Sequence, residues 1–316
     1  MTVGADSMVT VPRTSVHHQY APALAPAATV APGDRVRFVT WDARAGALLD
    51  RQPGSPFPLP PPIAGQGNPV TGPVRIIGAE PGDALVVEVL DIRCGPVGWC
   101  GAHAHVGPLP PGRITEPLGR TCRVGDGLVR FSETISLPLA PMVGCLGVAP
   151  EGEAVPTSDA GRHGGNLDQN IVTTGARVAL PVAVPGALLA LGDVHATQGD
   201  GELSGVALEI PGEVDVRVDV MPGTAPTWPW LIDDRRSSVM TVASDFVTAR
   251  AEAVEAALVE VERCLGLAPA DAMALLSLAA DLRIGGAFGG AQVNVRLDLP
   301  IDLRVVPPAL EGCQVR

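Results

Sequence analysis

The stretch Leu191-Gly-Asp-Val-His-Ala-Thr-Gln-Gly-Asp-Gly-Glu202 sets more potential ligands and proton carriers among turn residues than any other part of the chain. Asp193 and His195 are two residues apart, so an extended strand turns both to one side. The apolar run Ala187–Leu191 ahead of them reads as a buried strand that feeds them outward. Gly199-Asp200-Gly201 then turns the chain and can return Glu202 beside the pair. An Asp/His/Glu cluster of this kind binds a hard or borderline metal ion or runs proton transfer. The same spacing also describes a strand ended by a solvated Gly-Asp-Gly hairpin, because D-x-H is short and common.

Other stretches carry weaker signals of the same type. In Arg162-His163-Gly-Gly-Asn166-Leu-Asp168, Gly164 and Gly165 permit close backbone approach or a positive φ beside three polar side chains. A simple glycine-rich turn explains the same residues. His103-Ala-His105, inside Gly98–Gly107, can chelate from one side of a strand or sit as surface imidazoles in a loop. His17 and His18 read as a solvated pair. Cys145 lies in the small-residue, apolar strand Pro141–Pro150, where burial raises a thiol's pKa and works against nucleophilic use.

The elements that must position these residues are mainly strands. Pro-Gly pairs at 32–33, 81–82, 185–186 and 211–212 each precede an alternating or apolar run, such as Arg35–Thr40, Ala84–Ile92 or Val214–Val220. Pro followed by Gly suits the two central positions of a type II turn. A late stripe of Val247, Val254, Leu258, Val261 and Leu265 predicts a helix over about 245–265, capped by Ser244 or Asp245 and stopped by Gly266. Pro269 opens a second helix, to about residue 280. The expected fold is mainly β, a sandwich or barrel-like body with a C-terminal helical pair packed on it. Residues 1–16 carry no periodic pattern and are expected to be flexible. Residues 17–316 then form a single domain, with two interleaved β lobes as a variant. The proline-rich loop from Ala43 to Asn68 is expected at the mouth of the pocket or at a subunit boundary.

Composition narrows the function. A net charge of −12 over 316 residues disfavours nucleic acid and anionic membrane as partners. Every basic residue in the Lys and Arg count is Arg, which excludes Schiff-base and Lys-activated serine chemistry. The six cysteines form no C-x-x-C pair, so a zinc ribbon or secreted disulfide scaffold is not indicated. No apolar run reaches the roughly 18 residues of a spanning helix, and Met1–Val16 lacks a signal-peptide pattern, so a cytoplasmic protein is expected.

Several motifs, in their order along the chain, resemble the acetamidase/formamidase family. They are Asn68-Pro-Val-Thr-Gly-Pro-Val74, Gly78-Ala-Glu-Pro-Gly-Asp83, Gly147-Val-Ala-Pro-Glu-Gly152, His163-Gly-Gly-Asn-Leu-Asp168, Gly192-Asp-Val-His-Ala196, Gly199-Asp-Gly-Glu202 and Asp281-Leu-Arg-Ile284. The resemblance covers about residues 17–305. It implies a β-rich, often oligomeric hydrolase that converts a short carboxamide to a carboxylate and ammonia, with a divalent metal, zinc first. His103 and His105 depart from the family pattern. On this reading Asp193 and His195 are metal ligands joined by His163 and Asp168, with His103 and His105 as lesser candidates. Glu202 is the general base and later the acid, and Gly164, Gly165 and Asn166 line the substrate. The expected partners are a small amide and further copies of the chain, as a homodimer or dimer of dimers. A metal-dependent lyase or isomerase, or a non-catalytic metal- or ligand-binding β protein, would use the same inventory.

Overall fold

The computed structural model describes residues 8–61, 63, 65–104, 107–286 and 292–312. His105 lies outside them. Three of the four Pro-Gly pairs behave as type II turns: Gly33, Gly82 and Gly186 sit at φ 89°, 95° and 83°, and each turn closes with a hydrogen bond between the flanking residues. Gly212 differs. It has no positive φ among the described glycines and instead opens the strand Gly212–Met221.

The larger sheet runs in the order Met8–Val11, Arg35–Thr40, Gly212–Met221, Ala84–Cys94, Arg177–Pro181, Trp230–Ile232, Arg236–Ala243, Val293–Pro300 and Asp281–Ile284. In Arg35–Thr40 the alternation is literal: Val36, Phe38 and Thr40 are buried and the residues between them are not. A second sheet has Met142–Gly147 and Leu189–His195 side by side, flanked by Gly164–Asn166 and Val70–Ile76. Leu189–His195 is buried along its whole length, so no outward face produces a period-2 pattern. The two sheets share one apolar cluster, with Phe38, Val214 and Val216 from the first and Val143, Leu146 and Leu191 from the second. Each fully buried Leu or Phe contributes about 1.5–3 kcal/mol. The site described below lies at the edge of this shared core.

The expected helices are present as α1 (Phe246–Leu265) and α2 (Pro269–Ala279). Asp245 accepts from Thr248 N at the start of α1, and Gly266 ends it at φ 67°. The buried face differs from the apolar stripe read from sequence. Ala249, Ala253, Ala257 and Val261 face the strands Arg236–Ala243 and Val293–Pro300, while Val247 is 62% exposed. Small side chains at this spacing let the helix axis approach the sheet closely.

The N-terminal expectation also changes. Met8–Val11 pairs in parallel with Arg35–Phe38, and Val16–His17 pairs with Val70–Thr71, so residues 8–17 are largely held in sheets. Within the loop from Ala43 to Asn68, Pro56–Pro58 pairs with Leu118–Arg120, which ties the middle of the loop to that strand.

Candidate functional site

Asp193 and His195 meet as the sequence suggests, with Asp193 Oδ1 3.5 Å from His195 Nε2. The pleat alone does not bring them together. Asp193 sits at φ 57°, and the pairing with Met142–Gly147 registers Val143 with Val194 and Cys145 with Gly192, skipping the position between. Opposite Asp193 is Gly144, where a Cβ would lie 2.8 Å from both Asp168 Oδ1 and Asp193 Oδ2. Only a glycine leaves that space to the carboxylates. Asp168 and Glu202 are also left-handed, at φ 46° and 36°. Backbone strain of this kind collects where tertiary structure must aim a side chain.

Two clusters of possible ligand atoms share His195: one with Asp168 and Asp193, the other with Glu202 and Glu209, the atoms of each lying within 4.8 Å of one another. All five residues are buried. Three of the carboxylates follow one pattern, in which one oxygen is anchored and the other is bare. Asp193 Oδ2 accepts from Asn68 Nδ2 at 2.6 Å, Asp168 Oδ2 from Asn166 Nδ2 at 2.7 Å, and Glu209 Oε1 from Ala207 N at 3.1 Å. Their second oxygens, Asp193 Oδ1, Asp168 Oδ1 and Glu209 Oε2, are buried without a hydrogen-bond partner. Glu209 Oε2 is 3.3 Å from His195 Nε2 and Asp193 Oδ1 is 3.5 Å from it, distances of an ion pair without hydrogen-bond geometry. One imidazole cannot satisfy them all. Bare buried carboxylate oxygens are costly unless a cation faces them.

The imidazole itself is fixed. Its Nδ1 donates to Gln198 Oε1 at 2.7 Å, and Gln198 Nε2 in turn donates to the Asp168 carbonyl at 2.8 Å. That leaves Nε2 directed at the carboxylates, the arrangement a metal-binding histidine uses. Burial opposes charge on His195, yet Glu209 and Asp193 outweigh it and raise its pKa well above the usual histidine value. Burial, then Asp193, pushes the Asp168 carboxyl well above the usual range. Burial, then Asp168, does the same for Glu202. Glu209 is raised to about 7, by burial first and by Asp193 against the pull of His195. Glu202 differs from the other three acids in geometry: among the described residues no protein group hydrogen-bonds its carboxyl.

The cluster opens to a cavity of about 300 Å³ whose wall includes Asp168, Asp193, Glu202, Glu209, Asn166, Asn68, Trp99, Arg44 and His103. Ala43–Ala45 and Gln66–Asn68, the two ends of the proline-rich loop, border it.

Several expected ligands are elsewhere. His163 belongs to neither cluster among the described residues. Its ring packs edge-on against Tyr20 at 5.2 Å, Nε2 is buried without a partner, and burial lowers its pKa to about 4. Gly164 and Gly165 serve strand packing and do not line the cavity: a Cβ would meet Leu146 O at 2.3 Å or Asp159 O at 2.4 Å. Asn166 alone of that trio reaches the cavity. His103 lines the cavity but joins no ligand cluster. Cys145 does not line it. Burial, then Asp193 and Asp168, raises its thiol well above the usual value, and Sγ donates to Asn166 Oδ1.

Glu209, Asn68 and Gln198 were not singled out from sequence. Gln198 had a usable signal, three residues beyond His195. Glu209 stands between Leu208 and Ile210 and reads as the outer face of a strand, whereas its bridges to Trp99 and His195 place it inside.

The last strand braces the site from outside. Asn294 Nδ2 donates to the carbonyls of Asn166 and Leu167 at 2.8 and 3.1 Å. Arg296, 1% exposed, donates to Gln169 Oε1 at 2.9 Å and pairs with Asp200 Oδ1 at 3.2 Å. The same strand therefore fixes the backbone just before Asp168, the Gln169 side chain just after it, and Asp200 in the turn ahead of Glu202.

A family model described as the acetamidase/formamidase family matches residues 3–158 and 148–232. The chain is 29% identical to the acetamidase of Mycolicibacterium smegmatis over 280 residues, 67% of each chain. It is 26% identical to the formamidase of Methylophilus methylotrophus over 268 residues, 65% of this chain and 64% of that protein. These matches span about two thirds of each relative's length. The crystal structure of acetamidase from Bacillus halodurans superposes with a TM-score of 0.88 at 31% identity, covering 93% of this chain and 98% of that one.

Proposed function

The chain belongs to the acetamidase/formamidase family and hydrolyses the carbon–nitrogen bond of linear amides, and from that premise we propose how its buried cluster converts a short carboxamide to the carboxylate and ammonia. One observation carries the reading: three buried carboxylates, each with one oxygen tied down and one bare, surround a histidine whose free nitrogen points at them. Asp168, Asp193 and His195 have ligand atoms close enough to share one divalent cation, zinc first, and Glu209 borders the same imidazole as a further ligand. When bound, such a cation supplies Lewis acidity to the amide carbonyl and lowers the pKa of the attacking water.

The chain's own residues do the rest. Asn68, Asn166 and Gln198 orient the ligand side chains. Glu202, unanchored and facing the cavity, takes the proton of the attacking water and delivers it to the departing nitrogen. Its environment favours holding a proton, which suits the second half of that task. Cys145 is given no role in the reaction: it lies behind Asn166 and Asp193 without lining the cavity, and burial raises its thiol well above the usual value.

Ammonia release from formamide and acetamide, measured before chelation, after it and after zinc is restored, tests the reading. Activity should vanish with the metal and return with it. Full turnover in metal-free protein would remove the cation from the mechanism while leaving amide hydrolysis in place.

We also read the assembled protein as a homodimer or a dimer of dimers. Support comes from apolar side chains left outside: Leu278 is 87% exposed, and Met273 on α2 and Leu282 on the edge strand are 45% and 41% exposed. A monomeric mass by light scattering at micromolar concentration would overturn this. Within the described residues no helix is long and apolar enough to cross a membrane. All five cysteines among the described residues are free thiols, which supports a reducing, cytoplasmic setting.

A further inference from the structure

The cavity above the carboxylates is not acidic throughout. Arg44 forms part of its wall, with His103 near enough that the guanidinium, after burial, lowers the histidine's pKa. Arg44 is held by two neutral groups: Nη1 donates to Pro61 O at 3.0 Å and Nη2 to Pro60 O at 3.2 Å. Among the described residues no carboxylate lies within ion-pair distance of it. The nearby acids are committed elsewhere. Asp42 Oδ1 accepts from Arg44 N and Trp99 Nε1, and its Oδ2 accepts from Gly46 N. Glu209 has Oε1 taken by Ala207 N and Oε2 turned to His195 Nε2 at 3.3 Å. A guanidinium has five N–H donors in a planar fork, so the two proline carbonyls leave most of them free. Burial, the largest influence on Arg44, lowers its pKa, with Glu209 and Asp42 opposing it from beyond ion-pair distance.

Size points the same way. A cavity of about 300 Å³ holds about ten waters, since each occupies roughly 30 Å³ of liquid. Acetamide would fill only a small part of that space. A longer substrate could reach from the carboxylate cluster to the arginine.

We propose that Arg44 determines specificity by binding an anionic group at the far end of the substrate, so that the preferred substrate is a short primary amide ending in a carboxylate. This rests on the amidase reading of the carboxylate cluster. The carbamoyl end meets the cavity-facing acids Asp193, Glu202 and Glu209, and the substrate carboxylate takes spare N–H groups of Arg44 in paired hydrogen bonds.

The test compares kcat/KM for the monoamides of malonate, succinate and glutarate with neutral primary amides of matched length, and with acetamide. The wild-type enzyme should prefer at least one anionic amide over its neutral counterpart. Arg44→Gln should lower that preference by about 10- to 100-fold, the scale of a lost hydrogen bond to a charged group. Arg44→Lys should recover part of it, because the charge remains and the planar fork is gone. Inhibition by the matching dicarboxylate, stronger than by a neutral diamide and weakened in Arg44→Gln, gives a second readout independent of turnover. Neutral amides hydrolysed as well as anionic ones, or a preference unchanged in Arg44→Gln, would overturn this proposal alone. Failure to hydrolyse any amide, acetamide included, would overturn the amidase reading and this proposal with it.

Discussion

His195→Ala should give a folded protein that neither releases ammonia from an amide nor retains a divalent cation. The imidazole is the one nitrogen among the buried ligand atoms and belongs to both clusters around the cavity. Its loss leaves Asp193 Oδ1 and Glu209 Oε2 facing each other's charge without the group now 3.5 and 3.3 Å away. The acids would take up protons to relieve the repulsion, and a protonated carboxyl is a poor ligand. The fold should survive, because the strand's apolar contacts come from Leu189, Leu191 and Val194, none of which is touched. Three measurements decide the matter together: ammonia release, metal content of the purified variant, and a thermal melt. Turnover and metal content both near wild type would sink the assignment, whatever the melt shows.

Glu202→Gln should separate proton transfer from metal binding. The substitution keeps size and polarity but cannot carry a proton, so the rate should fall by about 10²- to 10⁴-fold with the cation still bound. Geometry sets Glu202 apart from the other acids, each of which has an oxygen anchored by a neighbouring donor. The left-handed backbone at Glu202, φ 36°, is unchanged by the substitution, so strain is not a confounding variable. Loss of the cation in this variant would reassign Glu202 as a ligand beside Glu209 and His195. A rate within a few-fold of wild type would leave the proton carrier to be sought at Glu209, whose pKa is raised to about 7.

What could be read from the sequence depended on how local the signal was. Three of the four Pro-Gly turns, a buried strand leading into Asp193 and His195, and the return of Glu202 to His195 are encoded within a dozen residues, and the structure has them, with the strand opening at Leu189 after left-handed Ala187 and Leu188. Strand alternation and the cap at Asp245 were legible for the same reason. Glu209 was not, because alternation with Leu208 and Ile210 describes an outer face, and only a partner from another part of the chain turns it inward. His163 failed in the opposite sense: its glycine-rich setting looks like a ligand loop, but Tyr20 claims the ring. The left-handed carboxylate residues have no sequence signature at all. L-residues seldom adopt that region, and at Asp193 the cause is a space left by Gly144 on the neighbouring strand.

The brace supplied by Asn294 and Arg296 gives the site a history as well as a shape. Ligand-bearing residues leave the ribosome in the order Asp168, Asp193, His195, Glu202, Glu209, and the strand that holds their loops follows last. At about 5–20 residues per second, Arg296 is made several seconds after Glu202. A nascent chain therefore carries its catalytic acids unclamped while the stretch from Glu209 to Asn294 is being made. A chain cut short before Val293 would lack the clamp altogether, so catalytic competence reports that synthesis has passed Arg296.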